Sequence, residues 1–252
     1  MPDKRCHRGP DPEDDELFAP VVWPTLRKAT SDLCWLLDHD YAMASSVELV
    51  GNRFNLARRQ RVAIARCACS NEARQRRRQH QVEPDQLRGQ ELWLDGYNVL
   101  TAVESALAGG VILLGNDGCC RDMAGVHARY RRVNETIPAL SLIGELTAQW
   151  GVTECHWWLD RPISNSGRLK QLILKTAADS GWSWQVELVY NPDKVLSETD
   201  RTIASSDSVI LDRCQRWINL ARTVIALRVP QARLVDLDIS SHSSPLQGNP
   251  SD

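Results

Sequence analysis

The chain is predicted to be an α/β protein with a parallel-sheet, Rossmann-like C-terminal domain and an all-helical N-terminal module. Before residue 82 the apolar residues follow helical spacing alone, whereas after residue 90 short apolar runs alternate with longer amphipathic stretches. Such alternation indicates parallel strands with helices on both faces of the sheet. The predicted strands are Leu92–Leu94, Val111–Leu114, Trp157–Leu159, Trp184–Tyr190 and Val235–Leu237, and the predicted helices are Ser141–Trp150, Arg168–Ser180 and Ser208–Leu227.

Residues 18–81 are predicted to form the helical module. Leu26, Ala29 and Leu33 recur at spacings of three and four residues, as one face of an amphipathic helix requires. A second helix is expected to end at the Gly51-Asn52 pair, and a third to run through Ile64. Helix, glycine turn and arginine-bearing helix form the outline of a helix-turn-helix, which many small helical bundles share.

Positive charge is concentrated in this module. The net charge of the chain is only -2, but residues 53–88 contain ten arginines and three acidic residues, a net +7. A segment of that charge attracts polyanions. We expect Arg58, Arg59 and Arg61 to contact nucleic acid; the alternative is an arginine-rich helix face that is solvated or packs on the second domain.

The remaining segments are assigned from composition. Residues 1–17 and 240–252 are predicted to be disordered tails, because they are rich in Pro, Ser and charged residues and offer little to bury. Residues 82–89 are expected to be a linker, followed by the α/β domain at residues 90–239.

The eight cysteines include no paired Cys-x-x-Cys knuckles, so buried free thiols are expected rather than structural zinc. No run resembles a signal peptide or reaches membrane-spanning length, so we expect a cytoplasmic protein without a membrane partner. The sequence leaves a homodimer open.

Acidic residues follow four of the apolar runs: Asp95, Asp160, Asp193 and Asp207. The carboxyl ends of parallel strands open onto one crevice, where ligands bind. Carboxylate oxygens suit hard divalent cations such as Mg²⁺ and Mn²⁺. The pattern therefore predicts a metal site, with Asp95, Asp160 and Asp207 as catalytic residues. Each acid could instead serve a local turn, and Asp207 could be the N-cap of the following helix.

Two polar loops could complete the site. Asp122, or Asp117 in the same loop, could face the cleft as a further ligand, with Arg121 and Arg129 holding phosphates. The loop before the helix at Arg168 has glycine, small hydroxyl groups and an exposed helix N-terminus, which suit a phosphate oxygen. Asn98 could hold Asp95 or touch the substrate. The expected substrate contacts are Asn98, Arg121, Arg129, Ser164, Asn165 and Arg168; the alternatives are capped turns and a basic surface helix. His127 and His156 are expected to have core or surface roles.

Through Asp95-Gly-Tyr-Asn98 and Ser205-Ser-Asp207 the chain resembles PIN-like nucleases, including their NYN branch, over residues 90–230. The resemblance implies a parallel α/β domain whose acids bind Mg²⁺ or Mn²⁺ and hydrolyse RNA. It implies Asp95 and Asp207 as ligands and Asn98 as support, and leaves Asp122, Asp160 and Asp193 open for the middle positions. The whole chain also resembles a prokaryotic family of two adjoining domains of unknown function, through Arg59-Gln-Arg61, Gly118–Asp122 and Ser164–Arg168.

A metal-dependent ribonuclease with RNA as its partner is therefore the expected function. A phosphatase of the haloacid-dehalogenase type would need a second aspartate two residues after Asp95, where Tyr97 stands. The alternative from another class is a non-catalytic nucleic-acid-binding or regulatory protein with a degenerate nuclease-like pocket.

Overall fold

The computed structural model describes residues 9–123 and 130–239. The N-terminal module contains five helices, α1 (Asp14–Leu17), α2 (Trp23–Asp38), α3 (Met43–Arg53), α4 (Arg58–Cys67) and α5 (Asn71–His80). Ser70 caps α5 by accepting a hydrogen bond from the Ala73 backbone N–H at 3.2 Å. Helix α3 continues through Gly51, where a side chain would collide with the Arg61 guanidinium group.

The C-terminal part is built on a five-stranded parallel sheet. Its strands are β1 (Glu91–Asp95), β4 (Glu154–Asp160), β5 (Trp184–Val189), β6 (Thr202–Ala204) and β7 (Trp217–Ile218). Their order is β5-β4-β1-β6-β7, and every pair is parallel. The predicted α/β class with a parallel sheet and an N-terminal helical region is confirmed.

A second, three-stranded sheet corrects the predicted strand assignment. Strand β2 (Val111–Leu114) pairs in parallel with β8 (Arg233–Asp236) and in antiparallel fashion with β3 (Cys120–Asp122). The runs at Val111–Leu114 and Val235–Leu237 were expected in the main sheet, but β4 and β6 already occupy both sides of β1. Val111 and Leu113 instead pack on the N-terminal helices, and this burial holds the two parts of the chain together.

Helices cover both faces of the main sheet. One face packs on α6 (Gly96–Leu107), α7 (Thr136–Gln149), α8 (Ser166–Ser180) and α11 (Leu220–Arg228). The other packs on α9 (Pro192–Glu198) and α10 (Ser208–Leu211). The single helix predicted at Ser208–Leu227 is wrong, because β7 interrupts it and adds an edge strand to the sheet. None of the helices in the described residues has the length and apolarity needed to span a membrane.

The chain segments at the predicted boundaries are ordered. The expected linker contains a 3₁₀ turn at Pro84–Leu87 with Leu87 fully buried, and the Val82 N–H donates to the Trp217 carbonyl oxygen. The tail predicted at residues 1–17 includes α1, whose Asp14 is buried. Residues 1–8 and the tail predicted at 240–252 lie outside the described residues.

A buried ion-pair network joins the helical module to the α/β domain. Asp117, in the turn between β2 and β3, accepts two hydrogen bonds from Arg121, at 2.9 and 2.6 Å, and one from Arg77 of α5. Arg77 also donates to Asp212 at 2.8 Å. Burial alone would raise the pKa of Asp117, but the Arg121 and Arg77 guanidinium groups hold it well below its usual range. Asp117 is therefore ionised in the folded protein.

We expect Asp117→Asn to lower the free energy of unfolding by about 3–5 kcal/mol, because it leaves the buried Arg121 guanidinium group without a carboxylate and Arg77 with Asp212 alone. Urea denaturation at neutral pH measures the change. Glu72→Gln is the matched control, because Glu72 is 85% exposed in its pair with Arg76 and should contribute less than about 1 kcal/mol. Equal effects of the two substitutions would show that the network does not stabilise the fold.

Candidate metal centre

Asp95 lies at the carboxyl end of β1, the central strand of the main sheet. Its side chain is buried, and its Oδ2 accepts a hydrogen bond from the Ser205 hydroxyl group at 2.7 Å. Gly96 follows because a Cβ there would lie 2.5 Å from Leu159 and 3.0 Å from the Trp158 carbonyl oxygen. Glycine is thus required for the close approach of α6 to β4 and not for a left-handed turn.

Asn98 connects α6 to the loop after β6. Its Oδ1 accepts hydrogen bonds from the backbone N–H and the hydroxyl group of Ser206, both at 2.8 Å. Arg121 donates to the Ser206 carbonyl oxygen at 2.8 Å, while its other nitrogens bind Asp117. Arg121 was predicted to hold a phosphate. Its donors instead bind Asp117 and the loop that contains Ser206.

The other three acids occupy neighbouring positions at the same edge. Asp160 ends β4, and Asp193 lies in the first turn of α9. Asp207 accepts a hydrogen bond from the Val209 N–H at 2.7 Å, so it does cap α10, as the alternative interpretation held. Its own N–H donates at 2.9 Å to the Ser205 hydroxyl group that donates to Asp95. One serine therefore sets the relative position of Asp95 and Asp207.

The electrostatics show that the four acids act on one another. Burial raises the pKa of Asp95 to about 7; the Ser205 hydrogen bond opposes this shift, and the negative charges of Asp207 and Asp193 add to it. Burial and Asp193 raise the pKa of Asp160. Partial desolvation and Asp207 raise the pKa of Asp193. Burial is the largest cause of each raised pKa, and the negative charge of a neighbouring acid adds to it.

Among the described residues, no arginine or lysine forms a salt bridge with Asp95, Asp160, Asp193 or Asp207. The nearby Arg161 guanidinium group instead lies over the Tyr190 ring, 5.2 Å from its centroid. No three of the four acids in the described part of the chain have oxygen atoms within 4.8 Å of one another. The site is thus an acidic edge and not a closed three-carboxylate shell.

This donor set fits Mg²⁺ or Mn²⁺. Magnesium commonly keeps several waters and takes only one or two protein carboxylates. Asp95 and Asp207, which share Ser205, can supply these two carboxylates. Burial and repulsion by neighbouring acids raise the pKa of Asp95, and a divalent cation would offset both effects.

Tyr97 lies near the acids. It stands where a phosphatase of the haloacid-dehalogenase type would have its second aspartate. Its hydroxyl group is buried and has no hydrogen-bond partner among the described residues. Burial and Asp160 raise its pKa, and its ring packs on Tyr130 with centroids 5.3 Å apart. In the sequence, Tyr97 could have been identified only as a hydroxyl-bearing residue that follows a strand ending in an acid.

The remaining predicted site residues lie around this edge. Asp122 is buried in β3 of the second sheet, where its Oδ2 accepts a hydrogen bond from Thr101 at 3.1 Å. Ser164, Asn165 and Arg168 are exposed beyond β4, with Asn165 donating to the Tyr130 carbonyl oxygen at 2.9 Å. Arg129 and His127 lie outside the described residues.

Two of the three arginines predicted to contact nucleic acid have internal partners. Arg59 donates to Asp14 at 2.8 and 3.0 Å. Arg61 donates to the Leu56 carbonyl oxygen and to Asn52 Oδ1, both at 2.9 Å. Arg58 is exposed. The first two arginines thus fix α4 within the module.

A second group of possible ligands lies at the opposite, amino edge of the sheet. Glu91, Glu154 and His156 have ligand atoms within 4.8 Å of one another. His156 Nε2 lies 2.8 Å from Glu154 Oε2, Arg201 lies 3.4 Å from Glu91, and Gln185 donates to Glu154. Glu154 and His156 are two residues apart on β4 and therefore share one face of the sheet. This spacing is visible in the sequence, but His156 was expected to have only a core or surface role.

Comparison with known proteins places the chain among sequences without an assigned activity. Residues 84–223, more than half of the chain, match a domain of unknown function (DUF5616), and residues 25–80 match a protein of unknown function (DUF434). The uncharacterized protein MJ0935 of Methanocaldococcus jannaschii is 26% identical over 187 residues, which cover 74% of this chain and 89% of the relative. No solved structure matches the chain. The predicted arrangement of two adjoining domains of unknown function is confirmed.

The raised pKa of Asp95 predicts a pH-dependent effect of removing its charge. A carboxyl group that titrates at about 7 when folded and at 3.8 when unfolded stabilises the fold below pH 3.8, and this contribution is lost as the pH rises to about 7. Without divalent cations, we therefore expect Asp95→Asn to be more stable than the wild type, by a margin that reaches about 4 kcal/mol above pH 7. Urea denaturation from pH 4 to pH 8 measures it.

Asp200→Asn is the control, because Asp200 is 95% exposed at the amino edge of the sheet and should show no such trend. Saturating Mg²⁺ should stabilise the wild type at pH 8 and leave Asp95→Asn unchanged. A stability difference that does not vary with pH would contradict the assignment.

Proposed function

This chain belongs to the DUF5616 family, and we propose that it is a metal-dependent nuclease that hydrolyses phosphodiester bonds in RNA. The observation that supports the proposal is the acidic edge, where four electrostatically coupled carboxylates have no salt-bridge partner among the described residues. Asp95 is buried, whereas Asp160 and Asp207 are half-buried and Asp193 is exposed. A carboxylate as buried as Asp95 is normally paired with a cation. The resemblance of the Asp95–Asn98 and Ser205–Asp207 motifs to PIN-like nucleases supports the same reaction.

In this mechanism Asp95 and Asp207 would hold a Mg²⁺ or Mn²⁺ ion. Such an ion lowers the pKa of a bound water molecule and neutralises charge on the phosphate. Ser205 keeps the two carboxylates in register through its hydrogen bonds to both residues. Asn98 holds the Ser206 backbone in place, so the loop that carries Asp207 need not reorganise during the reaction.

Asp160 or Asp193 would accept the proton of the attacking water in this mechanism. A carboxylate is a stronger proton acceptor when its pKa is raised, as it is for both residues. The water oxygen forms a bond to phosphorus as its proton passes to a carboxylate oxygen, the bond between phosphorus and the leaving oxygen breaks, and the leaving oxygen takes a proton from solvent. Asp122, bonded to Thr101 in the second sheet, has a supporting role in this proposal rather than that of a ligand.

A basic groove next to this edge suits the flanking phosphates. Arg131, Arg132, Arg168 and Lys175 line a cavity of about 550 Å³ with Tyr130, whose ring contacts Tyr97. Arginine and lysine side chains attract the phosphate backbone without reading its sequence. This arrangement supports RNA as the partner, with Asn165 also in the lining of the groove.

One observation favours the second candidate, a non-catalytic RNA-binding or regulatory protein. In the described residues no three of these acids approach within 4.8 Å of one another, so a metal must be held with few protein ligands. RNA binding that persists unchanged in the presence of a chelator, without cleavage, would identify this candidate. Loss of binding with rising salt would be expected of either function.

We expect Asp95→Asn and Asp207→Asn each to lower kcat for RNA cleavage in Mn²⁺ at least about 100-fold, because each removes a carboxylate that holds the ion. Gel-based cleavage of single-stranded, structured and transfer RNA measures the rates. Asp200→Asn should match the wild type, because Asp200 is exposed at the opposite edge. No cleavage by the wild type in Mg²⁺ or Mn²⁺ on any of these substrates would refute the nuclease.

A further inference from the structure

A cavity at the junction of the two parts of the chain adjoins the acidic edge. It has a volume of about 420 Å³, within the range of about 300–1,000 Å³ that is usual for small-molecule sites. Leu37, Met43 and Arg66 of the helical module line one side. Asn98, Ser206 and Asp207, all described above at the acidic edge, line the other. We call this cavity the junction pocket.

Two arginines of the buried ion-pair network line the junction pocket. They are Arg77 and Arg121, and both are held by the buried carboxylate of Asp117. Arg121 also donates to the Ser206 carbonyl oxygen at 2.8 Å. These charges are satisfied within the protein, so the pocket is formed before any ligand enters it.

Arg66 differs from these two arginines. It is half-buried on α4 and forms no ion pair within the part of the chain that the structure describes. An arginine presents several donors in a planar fork that matches phosphate oxygens. On the same side, Met43 is 40% exposed and Leu37 adds apolar surface, which suits the face of a base. A phosphate-binding cation beside an apolar wall is the chemistry that recognises a nucleotide.

We propose that the junction pocket binds one nucleotide of the substrate strand, next to the phosphate that is cleaved, with Arg66 on its phosphate and Met43 and Leu37 against its base. The proposal rests on the proposed function, since Asp207 belongs both to the pocket and to the metal centre. It makes the helical module part of the substrate site. The module then positions RNA through a side chain outside the three arginines expected to bind nucleic acid.

The first test is the binding of a nucleoside 5′-monophosphate, such as UMP or AMP, to the full chain by calorimetry in Mg²⁺. We expect Arg66→Gln to weaken binding at least 10-fold and Met43→Ser at least 3-fold. Arg66→Lys should fall between Arg66→Gln and the wild type, because it keeps the charge and loses the fork. Arg216→Gln is the matched control, because Arg216 is exposed at the amino edge of the sheet and should not change binding.

The second test uses single-stranded RNA with the Asp95→Asn background, in which cleavage is removed. Arg66→Gln should reduce the slope of log affinity against log salt by about 0.7, the value for one phosphate contact on a single strand. In RNA cleavage assays with Asp95 intact, Arg66→Gln should raise KM at least 10-fold and leave kcat within 2-fold. If Arg66 had only a structural role, Arg66→Gln would lower the melting temperature but would not raise KM while leaving kcat unchanged.

The two proposals can fail separately. Nucleotide binding that depends on Arg66, with no RNA cleavage by the wild type, would keep the pocket and refute the nuclease. RNA cleavage with an unchanged KM in a folded Arg66→Gln variant would keep the nuclease and refute the pocket. Monophosphate binding equal in Arg66→Gln and Arg216→Gln would also refute it.

Discussion

The carboxylate of Asp117 is the point at which the parts of this protein meet. Its two arginine partners come from different places, Arg77 from the last helix of the N-terminal module and Arg121 from the second sheet. Arg121 reaches on to the Ser206 carbonyl oxygen, and Arg77 reaches on to Asp212. The loop that carries Asp207 is therefore bound to an ion-pair network that is buried between the two parts of the chain. Removing Asp117 would leave the buried charge of Arg121 without compensation.

The network also explains why much of the arginine-rich segment is not a nucleic-acid surface. Arg59, Arg61 and Arg77 form internal contacts, and these contacts build the module and attach it to the sheet. Positive charge counted along a sequence overestimates the field at the surface when the guanidinium groups have carboxylate or carbonyl partners. Arg58 and Arg66 are among the members of the segment outside this network, and Arg66 lines a pocket with Asp207 of the acidic edge.

At the acidic edge, ionisation opposes stability. Ionising a carboxyl group such as Asp95, buried beside other carboxylates, lowers the free energy of unfolding. Proteins retain such strain where a ligand repays it. Ser205 limits the cost with a single hydrogen bond but does not remove it. The amino edge of the same sheet provides a contrast, because the Glu154 carboxylate there has Gln185, Ser183 and His156 as partners and its pKa is lowered.

Strand ends and helix periodicity were readable from the sequence because they depend on local spacing. The apolar runs ending at Asp95 and Asp160 predicted β1 and β4, and the resulting parallel sheet places their carboxyl ends side by side. The division of strands between two sheets was not readable, because Val111–Leu114 is apolar whichever surface it covers. The strand at Trp217–Ile218 was missed because its two residues lie between helical patterns.

For the site, the sequence by itself determined which acids follow strands and that Asp95 and Asn98 share one turn of chain. Only the tertiary structure decided that Ser205 joins Asp95 to Asp207, that Arg121 and Asp117 support the loop, and that Arg66 faces it across the junction. Those contacts connect residues far apart in the chain. The sequence around an arginine or a serine does not show which residue it will contact. Spacing along a chain specifies which face a residue occupies, whereas the packing of distant elements specifies what that residue meets.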